Sequence, residues 1–514
     1  MLDKTWRATR LAWPPARSAA QGWVVLAGLG GLSTAILWLG LVQPYNLFAL
    51  RILPLRNIAK LSQGNPVAQV GFVLTLAALS GLYYLAWRVC RSGGPTPAGR
   101  RPLWLALVGS LLVLNGSTLW LYPIGAADIF DNIARGRMSA VNGGNPFYET
   151  PRAYPGDPFR YYVAWPDATT AYGPLWELLA WGASRLAGDG MLANVLAFKG
   201  LGLAFYAGSA WLIARLLRER APERALQGVC LFAWNPLVIY EIAGNGHNDI
   251  VLVFFVLLAF WALQRRHFTG AVLALLAGAL TKFVPVLLLP IFLAVAVRML
   301  PRRRWAHFLV LTVLTAALLI AATAAPFWRG GDMLALARRS TLFTTSLPAL
   351  AQVSLEPALG LSASQHLVAA LASLMTVAVV LRQTWRAWRD PRWLTPVLAS
   401  TRVLLFYLLF TCLWFQPWYA LWPLALAALL PEGALGRTVV LLSYAAAWKT
   451  IYFDYFIYRG GPLPPLAWRE TLLAPATLGL TWLYLGLRML RGAWHKRDDR
   501  PGFSANPLVA TPRA

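Results

Sequence analysis

The sequence predicts an all-α integral membrane protein, a multi-span helical bundle of about 13–14 transmembrane helices with further helices in its extracytoplasmic loops. Three observations predict it. Hydrophobic residues make up 58% of the chain and charged residues 13%, where a soluble domain carries roughly 25% charged. Apolar runs of spanning or near-spanning length recur from end to end. The arginines stand in short clusters between those runs, as connections between membrane spans require.

Taken in order, Lys4, Arg7, Arg10 and Arg17 precede an apolar run over 22–42. That run is long enough to span and has no small-residue cleavage site, so it reads as an uncleaved first helix. Further runs follow at 67–88, 103–124, 193–214, 225–243, 249–264, 268–281, 283–299, 306–326, 364–381, 398–415, 418–431, 438–453 and 471–488, fourteen crossings in all. Residues 174–187 (PLWELLAWGASRLA) are too short and too charged to cross, and read as an amphipathic helix on the outer surface. Three cysteines, Cys90, Cys230 and Cys412, each lie in or at the end of an apolar run, as packing residues rather than a disulfide framework.

With the N-terminus cytoplasmic, 30 of the 46 basic residues fall on the inner side and 13 of the 20 acids on the outer. This bias sets the expected orientation: a multi-pass protein of the inner (plasma) membrane, both termini cytoplasmic and the polar loops extracytoplasmic. It also turns a net charge of +26 into a topology signal rather than a nucleic-acid surface. Residues 1–494 then form one transmembrane domain containing a long outer loop, 125–192, and 495–514 a polar, disordered cytoplasmic tail. No internal repeat and no separate soluble domain stands out.

The longest polar passage is 125–177, which opens where an apolar run ends. If its start is helical, Asp128, Asp131, Asn132 and Arg135 share one stripe at i, i+3, i+4 and i+7. A proline-spaced loop follows, carrying Tyr148, Tyr154, Tyr161, Tyr162, Trp165, Tyr172 and Trp176, with Glu177 beyond. Carboxylates beside flat aromatic faces suit a sugar better than an ion. The plainer alternative is a first helical turn enriched in acids, with Asp131–Arg135 an ordinary i,i+4 pair.

The expected topology brings other ionisable residues to the same side. The turn YEIAGNGHNDIVL gathers Glu241, Asn245, His247, Asn248 and Asp249. Asn248 or Asp249 can cap the next helix, but capping does not account for His247 with two acids around it, and ionisable groups at membrane depth are functional candidates. Lys282 sits at the tip of a short hairpin, where an ammonium suits a phosphate, unless it merely snorkels. Arg329, Arg338, Arg339, Lys449, Asp454, Gln416 and Trp418 are weaker candidates for the same cavity. Only His247 and His366 among the histidines fall on the outer side, so a zinc site has no ligand set. A divalent cation (Mg or Mn) on the Asp128 and Asp131 carboxylates stays open, spacing alone not requiring one.

The runs DIFDNIARGRMSAVNGGNPFYETP, TTAYGPLWELLA, GNGHNDIVLVFFVLLAFWAL and ALTKFVPVLLLP occur here in one order. In that order they resemble the polyprenyl-phosphomannose-dependent α-1,6-mannosyltransferases of the bacterial envelope and, more loosely, glycosyltransferase family 87, both in the multi-span GT-C superfamily. The similarity covers roughly residues 105–300. It implies a GT-C-type bundle and inverting transfer of a hexose, with mannose the expected sugar, from a polyprenyl-phosphate-sugar donor to a glycan or lipid-linked acceptor at the extracytoplasmic face. The family's essential carboxylate maps to Asp128, with Asp131 its neighbour, and which of the two is the base stays open because this chain has Asp-x-x-Asp. Donor phosphate or sugar then falls to Arg135, Arg137, His247, Asn248, Asp249 and Lys282, and sugar stacking to Tyr148, Tyr172, Trp176 and Glu177. The partners so implied are the lipid-linked donor, the acceptor and the bilayer, with no nucleic acid.

The main rival is a polytopic transporter or flippase of a lipid-linked sugar. It expects repeats and mid-bilayer charges, and only the hairpin over 268–299 speaks for it. A ligase or polymerase using a diphosphate-linked oligosaccharide is a third reading.

Overall fold

The protein is described here from a computed structural model, over residues 19–52, 57–92, 97–331, 342–430, 432–458 and 465–494. It is an all-α, multi-span membrane protein with no strands among the described residues; isolated bridges, Asn46 to Leu121 and Thr344 to Trp414, are its extended pairings there. Among the described residues seven helices are long and apolar enough to cross a membrane: Gln21–Val42, Pro66–Ser92, Met191–Arg220, Arg302–Phe327, Leu361–Arg389, Leu394–Thr411 and Ala467–Leu490. A further apolar pair of helices is bent at a break, as in a broken span or a re-entrant loop. Pro222–Ala233 and Pro236–Gly244 meet at 52°, because Pro236 has no N–H to continue the first helix and the Asn235 side chain caps Leu237 instead.

The fourteen apolar runs of spanning or near-spanning length therefore fall into longer and shorter helices. Of the remaining runs, 103–124 and 438–453 lie largely in the helices Pro97–Thr118 and Ala434–Ile451, and the others are helical but short. Asp249–Gln264, Phe268–Ala279 and Val284–Met299 have 10–17 residues each, and the 418–431 run becomes a 3-10 turn, Pro417–Ala420, followed by Leu421–Ala427. Leu252, Leu257, Phe260, Leu421 and Leu424 on these segments are buried. An apolar segment of such length, greasy on every face, belongs inside a bundle. A sliding window over sequence cannot separate that case from a spanning helix. The proposed cytoplasmic tail, 495–514, and the basic N-terminal residues lie outside the described residues.

One buried charge in the bundle had no sequence rationale. Lys199, fully buried in Met191–Arg220, donates to the carbonyls of Leu119 (3.1 Å) and Leu121 (2.5 Å), just past the helix Pro97–Thr118. Carbonyls left open at a helix end are the natural acceptors for a cation. Lys199 thus pins the strap that leads into the polar passage.

That passage opens with the helix Asp128–Ala140, which packs against Pro174–Ala187. The second helix is the amphipathic segment predicted at 174–187. Its start is tied down by two backbone bonds, Gly173 N–H to the Thr281 carbonyl and Leu175 N–H to the Leu280 carbonyl, both 3.0 Å. Gly173 is required there, since a Cβ would lie 2.2 Å from the Leu280 carbonyl oxygen. Gly246 plays the same part in the polar turn: its φ is +73°, and a Cβ would meet Ile129 at 2.4 Å. Through these two close approaches three distant stretches of chain converge at one end of the bundle.

Candidate active site

The Asp128–Ala140 helix begins without a side-chain cap at Ala127, and Asp128 and Asp131 occupy its first turn, where the dipole favours anions. The expected stripe exists, but its members face different partners. Asp131 is buried and accepts the backbone N–H groups of Ala164 and Trp165, each at 3.0 Å. Arg135 lies 3.7 Å from Asp131 and donates to the Ala168 carbonyl at 3.2 Å. Asn132 accepts the Trp176 indole N–H at 3.2 Å. These three fasten the aromatic loop to the helix. Asp128 differs: its side chain is 27% exposed.

Burial lifts the Asp131 carboxyl to about 6, with Arg135 opposing and Asp128 reinforcing the rise. Even so, its two amide donors would be orphaned by truncation. Asp131→Ala is expected to destabilise the protein by about 1–3 kcal/mol, the cost of unmet buried donors, read as a lower midpoint of thermal unfolding in detergent.

The turn after the bent helix pair supplies the next groups. Its lead-in is a π-helical turn, Tyr240–Gly244, a distortion that often marks a functional site. The His247 ring lies with Nε2 3.2 Å from Glu241 and Nδ1 3.9 Å from Asp128. It also stacks on Trp418, centroids 3.7 Å apart and planes at 20°. Glu241 accepts the Asn245 amide at 2.9 Å, and Asn245 in turn accepts the Gly125 N–H at 3.0 Å. A polar chain thus runs from Gly125 through Asn245, Glu241 and His247 to Asp128. Asn248 is the N-cap residue of Asp249–Gln264 but makes no side-chain capping bond.

Burial disfavours a charged His247, yet Glu241, Asp128 and Asp249 together outweigh it and hold the imidazole pKa above its ordinary 6.5. A raised folded-state pKa means that the imidazolium stabilises the fold fully below the unfolded value of about 6.5. That contribution is lost as pH rises through the higher folded value. Thermal midpoints measured across this window are expected to fall with pH, and His247→Asn to flatten the slope; an equal slope in both proteins would contradict the assignment.

A second cluster forms where the hairpin tip meets the segment after Trp418. Lys282 donates to both Asp249 oxygens, at 2.9 and 3.0 Å, and the Trp422 indole donates to Asp249 at 2.7 Å. The ammonium also lies 4.5 Å from the Tyr419 ring centre and 5.7 Å from that of Tyr172. Lys282 is 16% exposed and the Asp249 side chain fully buried, so this lysine does not snorkel.

A cavity of about 1290 Å³, its mouth included, is bordered by Gly125, Ala126, Glu241, Trp418, Lys449 and Arg469 among others; Asp128, His247, Asp249 and Lys282 are not in this lining. Trp165 from the aromatic loop and Trp414 form one wall, ring centres 5.9 Å apart. Lys449 donates to Gln416 at 2.8 Å, and Asp454 accepts the Asn57 amide at 3.0 Å. Lys449, Asp454, Gln416 and Trp418 were weaker candidates in the sequence, and all four line this cavity. Arg469 and Trp414 were missed. Arg469 had one signal, a basic residue in a segment that the charge bias of the sequence assigns to the arginine-poor side.

Other predicted residues sit elsewhere. Arg137 donates to Asp157, to the Gly188 carbonyl and to Asp189, with its guanidinium over Phe159; it braces the loop ends. Tyr148 donates to the Gly330 carbonyl at 2.8 Å, and Arg329 pairs with Glu149 at 2.8 Å, which knits two loops together outside the cavity lining. Trp176 is buried, and Glu177 is buried and accepts the Thr170 hydroxyl. Arg338 and Arg339 lie outside the described residues. Among the described residues no group of three or more His, Cys, Asp or Glu gathers as a metal site.

Residues 117–298 match a protein family described as alpha-(1->6)-mannopyranosyltransferase, N-terminal domain. This stretch contains the Asp128–Ala140 helix, the His247 turn and Lys282. Among curated proteins, alpha-(1->6)-mannopyranosyltransferase A of Corynebacterium glutamicum is 27% identical over 161 residues, which is 31% of this chain and 32% of that protein. The match thus spans about a third of the relative's length. No solved structure matches. The family resemblance read from the four sequence runs is met by both comparisons.

Proposed function

We propose that this chain is a membrane-embedded hexosyltransferase that moves mannose from a polyprenyl-phosphate donor to a glycan or glycolipid acceptor at the extracytoplasmic face, with inversion. The observation that carries the proposal is Asp128. It is the carboxylate of the site with substantial exposure, it sits at a helix N-terminus just after the cavity-lining Gly125 and Ala126, and His247, which stacks on the cavity-lining Trp418, stands 3.9 Å away. The family match over 117–298 supports the sugar and the reaction class.

In this reading the acceptor hydroxyl attacks the anomeric carbon while Asp128 takes its proton. The bond from that carbon to the phosphate oxygen breaks, and its electron pair leaves on the polyprenyl phosphate. Cations then offset the charge on the departing phosphate. His247, itself held by Glu241, and the cavity-lining Lys449 and Arg469 are suited to that task. Trp165, Trp414 and Trp418 offer flat apolar faces for sugar rings. A good leaving group leaves the protein with positioning and proton removal as its work, and no step needs a metal.

The test is transfer by purified protein from radiolabelled polyprenyl-phosphomannose to a short α-oligomannoside. A new glycosidic bond of inverted configuration is expected, and nucleotide-linked mannose should not replace the lipid donor. A folded protein that translocates the lipid across vesicles without making that bond is a transporter, and the proposal fails.

A further inference from the structure

The end of the bundle opposite Asp128 holds a second cavity, of about 1320 Å³ with its mouth. The helix Ala434–Ile451 links the two. It contributes Arg437 and Val440 to this cavity and Lys449 to the one beside Asp128. Twelve residues of helix separate Arg437 from Lys449, about 18 Å along the axis.

The lining is amphiphilic in a particular way. Arg91 ends the helix Pro66–Ser92, Arg224 precedes Ala225–Ala233, and both border the cavity with Arg437. Glu432 is the acid in the lining. It lies 2.5 Å from Arg91 and accepts the Gln227 amide at 3.0 Å. Glu223, more than half exposed, stands 3.7 Å from Arg224. Even with both acids counted, guanidinium groups outnumber carboxylates. Beside the charges stand Tyr84 and Trp87, stacked with centres 6.2 Å apart, and Tyr83 against Tyr444 at 6.0 Å. Leu231, Val440 and Leu441 complete the apolar wall. Cations at the rim, Tyr and Trp beside them and aliphatic side chains within follow the polarity profile of a phospholipid at an interface.

We infer that this cavity binds an anionic phospholipid, with its phosphate against Arg91 and Arg437 and its acyl chains along Leu231, Val440 and Leu441. A lipid held there is no donor of sugar, because the cavity lies at the far end of Ala434–Ile451 from Asp128. The inference is independent of the transferase reading. It requires only a membrane protein with this lining.

The test uses the full chain, purified in a non-ionic detergent and stripped of lipid. Thermal unfolding is followed with short-chain phosphatidylglycerol, short-chain phosphatidylcholine or inorganic phosphate. Phosphatidylglycerol should raise the midpoint saturably, and the other two should do so at least several-fold less. The Arg91→Ala/Arg437→Ala double variant should lose most of that shift while keeping its lipid-free midpoint. Glu432→Gln removes the carboxylate that competes for Arg91, and half-saturation should then come at several-fold lower lipid. Equal responses to the two lipids overturn the inference, and so does a shift reproduced by phosphate alone. If the double variant does not fold, Glu432→Gln decides: an unchanged or weakened response to phosphatidylglycerol rejects the site.

Discussion

Asp128→Asn is expected to lower the turnover of mannosyl transfer by about 10²–10⁴-fold, the range that positioned general-base catalysis supplies. Donor KM and the unfolding midpoint should change little. The amide keeps the shape of the carboxylate and its place at the start of the Asp128–Ala140 helix, and the side chain is 27% exposed, so no buried partner is orphaned. It cannot take a proton. His247 keeps its nearer partner, Glu241 at 3.2 Å, so the polar chain from Gly125 should survive. The comparison variant is Asp131→Asn, which should act through stability, because Asp131 accepts two backbone amides of the aromatic loop. Opposite signatures are therefore expected for two acids three residues apart: lost turnover in a stable protein, and lost stability with residual turnover. If Asp128→Asn retains turnover within about tenfold of the parent, one power of ten being about 1.4 kcal/mol in the barrier, the base lies elsewhere, and Glu241 on the cavity wall becomes the candidate.

Much of this arrangement was legible in the sequence because it depends on composition and local spacing. Low charge and repeated apolar runs are enough to specify an all-α membrane bundle. The charge and brevity of 174–187 marked a helix too short to cross, and Pro174–Ala187 is a 14-residue helix with one buried face. The glycines around His247 marked a tight turn, and Gly246 takes a positive φ there. What could not be read was every contact between distant stretches. Asp128 and Asp131 are equivalent in sequence; the difference between them is made by the backbone of Ala164 and Trp165, more than thirty residues on. The partners of Arg137, Asp157 and Asp189, belong to loop ends that no periodicity positions. Which apolar runs form long helices and which short ones was illegible for a related reason. Burial within a bundle and burial in lipid select the same apolar residues, so 249–264 and 418–431 carry no local mark of being interior.

Lys282 is where sequence and structure divide most sharply, and the two accounts predict different outcomes. As a donor-phosphate ligand it should be dispensable for folding. As the partner of the fully buried Asp249 it should not be, since both carboxylate oxygens accept from its ammonium. Lys282→Met is accordingly expected to destabilise by about 3–5 kcal/mol, the cost of leaving a buried charge without its partner. The Trp422 indole, at 2.7 Å, remains as a donor to that carboxylate, but a neutral N–H does not balance the charge. Adding Asp249→Asn should restore most of the loss, because a buried pair replaced by neutral groups of similar volume is often tolerated. Thermal unfolding of the two single variants and the double variant in detergent measures the coupling directly. The double variant also separates structure from chemistry. If its fold recovers and transfer recovers with it, Lys282 serves the site only by holding the Asp249–Gln264 helix and the Tyr419–Trp422 aromatic pair in register. If the fold recovers but transfer stays lost and donor KM rises, the ammonium meets the phosphate as well, and the ion pair with Asp249 is the resting arrangement from which it is drawn. A Lys282→Met single variant as stable as the parent would defeat the structural account.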